Sequence, residues 1–143
     1  MMSRLSAFAP LMLVVAGSLV YHVAAKSVPK ALDPVASVIG VYAAALVASI
    51  VVYAAARPGS VPGLTHLWHP AIAAVGLGAL MIELGFLVTY RAQWPVSMAS
   101  VMTNGLVAVL LVPIGALLFG EAITLVRVIG VALCLIGVSL IQR

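Results

Sequence analysis

Residues 34–56 read PVASVIGVYAAALVASIVVYAAA, a run without one charged side chain. At about 1.5 Å of rise per residue, a helix of this length covers the roughly 30 Å of hydrocarbon in a bilayer, which takes about 20 apolar residues. Lipid offers the backbone no hydrogen-bond partner, so the run must close its own N–H to C=O ladder as an α-helix. The flanks agree. Asp33-Pro34 is a helix-starting pair, and Arg57-Pro58-Gly59-Ser60-Val61-Pro62-Gly63 is rich enough in proline and glycine to predict the longest loop.

Similar apolar runs lie on both sides. They predict helices at about 6–25, 70–90, 95–119 and 123–141, giving an all-α integral membrane bundle of five transmembrane helices in one domain, residues 1–143. The segment from Ser27 to Asp33 reads as a compact interfacial loop. Ala92-Gln93-Trp94 is so short that helices 3 and 4 are expected to form an antiparallel hairpin. Pro95 suits the first turn of helix 4, and Pro113 predicts a kink in its second half. Gly120-Glu121 turns the chain into helix 5, where Glu121 is read as complementing the helix dipole and capping free amides. The first run follows Arg4 as a signal peptide would, but it lacks a small-x-small cleavage site before Lys26 and is kept as a mature helix. Trp68, His66 and His69 suit a membrane interface.

Composition excludes the soluble classes. Of 143 residues, 65% are hydrophobic and 7% charged, whereas a soluble domain is about one quarter charged. Mean hydropathy is +1.30. Seven Lys and Arg against three acids give +4, but these charges sit at the ends of apolar runs, which predicts membrane anchoring and no nucleic-acid partner. Cys134 is alone, so it forms no intrachain disulfide and no cysteine metal site. The three histidines lack metal-ligand spacing, and no Ser-His-Asp set or phosphate loop occurs, so neither an enzyme, a cofactor nor a metal is expected. An odd number of crossings places the termini on opposite sides, with Arg4, Arg57 and Arg127 facing one and Lys26, Lys30, Arg91 and Arg143 the other. That bias mildly favours a cytoplasmic C-terminus. So near a balance also suits a chain inserted in both orientations.

Glu83 is the formal charge set deepest in an apolar run, about 4 Å from the middle of helix 3 by helical rise. A charge there costs about 2.5–3.5 kcal/mol on insertion scales, and such residues commonly face a cavity or a partner and mark ion or substrate paths. The bland alternative is a protonated carboxyl group that bonds a neighbouring helix. Ala79 and Gly76 lie below Glu83 on its face; Phe86, Leu87 and Tyr90 lie above. Depth matching places Thr103 and Asn104 on helix 4, Ser18 on helix 1 and Tyr42 on helix 2 at a similar level, with Tyr21 and His22 a turn nearer the surface. Together they form a candidate layer for binding a proton or substrate, although each has a local role open to it, in backbone bonding, interface seeking or helix glue. Gly130 and Gly137 share a face of helix 5 and suit helix packing or a dimer contact.

The run Pro113-Ile114-Gly115-Ala116-Leu117-Leu118-Phe119-Gly120-Glu121, followed by Ile129-Gly130-Val131-Ala132-Leu133-Cys134-Leu135-Ile136-Gly137-Val138, resembles the end of an EamA-like repeat of the drug/metabolite transporter superfamily, to which small multidrug resistance proteins are related. Tyr21-His22-Val23-Ala24-Ala25-Lys26 agrees loosely with the first helix of such a repeat, and the likeness is strong over about residues 84–142. Full-length members look like two five-helix repeats of opposite orientation, so the resemblance implies half of an inverted-repeat transporter, acting as a homodimer that is antiparallel. The implied function is proton-coupled secondary transport or export of a small metabolite or organic cation across a bacterial inner membrane. A lipid-linked sugar flippase component and a non-transporting assembly subunit stand as the alternatives. Small multidrug resistance proteins carry their key glutamate in the first helix, so the case for Glu83 rests on its depth and not on the resemblance.

Overall fold

The computed structural model describes residues 4–60, 63 and 69–141. Trp68, His66 and Arg143, which the sequence places at membrane interfaces, lie outside the described residues. Five helices and no strand are found among the described residues: α1 (Arg4–Ser27), α2 (Pro34–Ala56), α3 (Pro70–Arg91), α4 (Val96–Phe119) and α5 (Leu125–Ile141). The first four contain segments of 20–24 residues that are long and apolar enough to cross a membrane.

α5 begins at Leu125, two residues later than expected. The delay begins at Gly120, whose φ of 65° ends α4 in the left-handed region, where Glu121 N–H caps Gly115 C=O at 3.1 Å. Residues 121–124 are not helical. Thr124 Oγ1 then accepts from Arg127 N at 3.3 Å and starts α5 at Leu125. Glu121 is therefore not the cap that the sequence suggests.

The other boundaries follow local chemistry. Asp33 Oδ1 accepts from Ala36 N at 2.9 Å with Pro34 next in line, so α2 begins where expected. His69 Nδ1 accepts from Ala71 N at 3.2 Å and caps α3 in the same manner. Pro95 stands at the N-cap of α4, one residue outside the helix, and α4 runs unbroken through Pro113. Gln93 turns the chain between α3 and α4 with a φ of 70°.

The chain forms two compact units, one of residues Val23–Ala92 and the other of Met1–His22 with Gln93–Arg143. In the first, α2 packs against α3. Arg91 Nη2 donates to Leu32 O at 2.5 Å, which sets the end of α3 beside the start of α2 and makes the pair antiparallel. Lys26 Nζ donates to Tyr90 O at 3.4 Å, attaching the end of α1 to the same place. Val38, Leu87, Tyr90 and Ala25 are buried here.

In the second unit α4 packs against α5, with Ala99, Gly115 and Val138 buried. Gly105 is their point of close approach, because a Cβ there would lie 2.8 Å from Val138 Cγ2. Gly130 and Gly137 show no such constraint within the chain, as a Cβ at either meets nothing within 4 Å. Large apolar side chains face outward on the helices: Leu13, Val75, Leu117 and Val126 are all at least 72% exposed. Water would disfavour so much apolar surface. Lipid accepts it, and the chain reads as a membrane protein.

Candidate functional site around Glu83

α3 is the element that positions Glu83. Its side chain is 8% exposed, the one buried charged group among the described residues. Leu87 and Tyr90 follow at four and seven residues, so the three occupy one stripe of the helix, and Ala79 and Phe86 beside it are half-buried. Phe86 and Tyr90 stack with centroids 5.7 Å apart, walling the stripe toward the end of the helix. Gly76, seven residues before Glu83 on the same face, is exposed. A carboxyl group placed within a membrane-spanning helix is costly to insert, and such groups commonly face a cavity or a partner.

The remaining candidates divide between the units. Tyr42 shares Glu83's unit but is 36% exposed. Ser18, Tyr21, His22, Thr103 and Asn104 belong to the other. There, the rings of Tyr21 and His22 meet edge-on at 5.1 Å, both half-buried. Thr103 Oγ1 donates to Ala99 O at 2.6 Å, so its hydroxyl serves its own helix. Ser18 is exposed.

Asn104 lines a groove of about 460 Å³ between α4 and α5, with Ser100, Gly105, Cys134 and Gly137. Its carboxamide makes no hydrogen bond among the described residues. Asn104 and Gly137 are thus brought together, whereas Gly130 is exposed and away from this groove. Sequence reasoning missed Gly105. Its signal is the small-residue spacing of Gly105 with Ala108 on α4, which becomes informative only once α5 is known to be the partner.

Glu121 takes part in a separate arrangement. Its carboxylate receives Arg127 Nη1 at 3.1 Å and lies 3.2 Å from where a Gly115 Cβ would stand. Both partners are more than half exposed, and an exposed pair of this kind contributes no more than about 1 kcal/mol. Among the described residues, no three His, Cys, Asp or Glu side chains gather as they would to hold a metal. Comparison with protein-family models, with curated proteins and with solved structures finds no match to this chain.

Proposed function

We propose that this chain is a subunit of a membrane transporter or exporter for a small metabolite or organic cation, with Glu83 as the group that takes up and releases a proton or meets the substrate's charge. The observation that carries the reading is the burial of Glu83 near the middle of a membrane-spanning helix. Intramembrane carboxyl groups are expensive to insert and commonly mark proton or substrate paths. The resemblance of residues 113–138 to the end of an EamA-like repeat supports the same reading, and it adds the homodimer that would rebuild an inverted pair of repeats in a bacterial inner membrane. Gly130 faces outward with open space around it, in keeping with a contact between copies.

The test is flux in proteoliposomes, measured from about pH 5 to 9 for wild type and Glu83→Gln. The amide keeps the shape of the side chain and removes its titration, so flux is expected to fall and to lose its pH dependence. Equal flux with the same pH profile in both proteins would remove Glu83 from the mechanism. A reporter fused to the C-terminus and read on both faces of the membrane tests the antiparallel dimer, which requires signal from both sides.

A further inference from the structure

One end of the α2–α3 unit gathers Lys26, Lys30 and Arg91 around a single acid, Asp33. Two hydrogen bonds described above hold them there: Lys26 to the carbonyl of Tyr90, next to Arg91, and Arg91 to the carbonyl of Leu32, two residues beyond Lys30. Lys26 also lies over the Tyr90 ring, 5.6 Å from its centroid. Asp33 is committed to the Ala36 amide as the cap of α2 and does not pair with these cations. Lys30 has no hydrogen bond or ion pair among the described residues and is exposed. At the opposite end of α2 the formal charge is Arg57 alone.

Beside this basic rim the surface is apolar. Val23, Leu32 and Val88, each within three residues of one of the cations, and Val35 in the first turn of α2 are 52–64% exposed. A cationic rim above a flank of aliphatic side chains matches a molecule with an anionic head and hydrocarbon tails. An inorganic anion would use the rim and leave the flank unoccupied.

We infer that the Lys26, Lys30 and Arg91 end of the α2–α3 unit binds the phosphate headgroup of an anionic phospholipid, whose acyl chains lie against Val23, Leu32, Val35 and Val88. Lys26 and Arg91 are oriented by the carbonyls they already bond, and Lys30 closes over the headgroup from the loop. The assignment does not rest on the proposed transport function.

Native mass spectrometry of the detergent-solubilised full chain tests it by counting bound phosphatidylglycerol against phosphatidylethanolamine at equal concentration. Wild type is expected to prefer phosphatidylglycerol. Each cation near an anionic surface accounts for about fivefold in affinity, so Lys30→Gln should lower the preference about fivefold and Lys30→Glu about 25-fold. Lys30 makes no structural bond, so neither change should disturb folding, which circular dichroism checks. Arg57→Gln, at the far end, should leave the preference unchanged.

An equal preference in wild type and Lys30→Glu, or an equal loss in Arg57→Gln, would overturn the assignment. Millimolar inorganic phosphate provides the last arm. Displacement of phosphatidylglycerol by phosphate alone would show a free-anion site and refute the lipid; persistence of the lipid supports it.

Discussion

Replacing Gly105 by alanine places a methyl carbon 2.8 Å from Cγ2 of Val138. Two carbons rest comfortably about 3.5–4.0 Å apart, so roughly 1 Å of overlap must be relieved. Val138 is 7% exposed and sits within α5, where valine has one strongly preferred rotamer. Turning the methyl away therefore costs about 1 kcal/mol, and shifting α5 instead loses packing along its contact with α4; overpacking of this kind costs about 1–3 kcal/mol in total. Val138→Ala alone leaves a small void. In the double variant the new methyl enters the space that the valine vacates. Unfolding in mixed micelles, followed by circular dichroism across a denaturant series, should show Gly105→Ala destabilised by about 1–3 kcal/mol, with the double variant less destabilised than the sum of the singles by at least about 1 kcal/mol. A neutral Gly105→Ala, or strict additivity of the two changes, would refute the close approach of α4 and α5 at this point.

Other outcomes are expected from the same geometry. Thr124→Ala removes the side chain that begins α5 and should cost about 1 kcal/mol in the same unfolding assay, while Thr124→Ser retains the cap and most of the stability. Asn104→Leu withdraws a carboxamide with no partner among the described residues from an apolar groove, so stability should rise by about 1–2 kcal/mol; a loss instead would show that the amide has a bonded partner. Glu83→Gln is expected to fold as wild type does while flux loses its dependence on pH, and parallel thermal unfolding and liposome flux separate the two effects.

The bounds of α2 were legible because Asp33-Pro34 and Arg57-Pro58-Gly59 are chemical punctuation that acts within a few residues. α5 was less so. Glu121 reads as a helix-starting acid, but its carboxylate pairs with Arg127 while Thr124, unremarkable in sequence, supplies the cap. Glu83 stood out because charge in an apolar run is conspicuous, and its burial with Leu87 and Tyr90 follows from helical spacing alone. The rest of its expected layer was harder, because counting residues from a loop fixes depth and leaves the angle around the helix open. Hence Tyr42 and Ser18, chosen by depth, present exposed side chains, and Thr103 turns to its own backbone. Gly105 was invisible for a related reason: a close approach belongs to a pair of helices, and the sequence does not name the pair.

The length of α4 has a consequence for the surrounding bilayer. Its 24 residues span about 36 Å. Against a hydrocarbon thickness of about 30 Å, the helix is long by about 6 Å. Such hydrophobic mismatch is met by tilting the helix or thickening the membrane beside it, each at a fraction of a kcal/mol per Å. Bilayer thickness is thus a variable that acts on α4, and longer acyl chains are its more comfortable solvent.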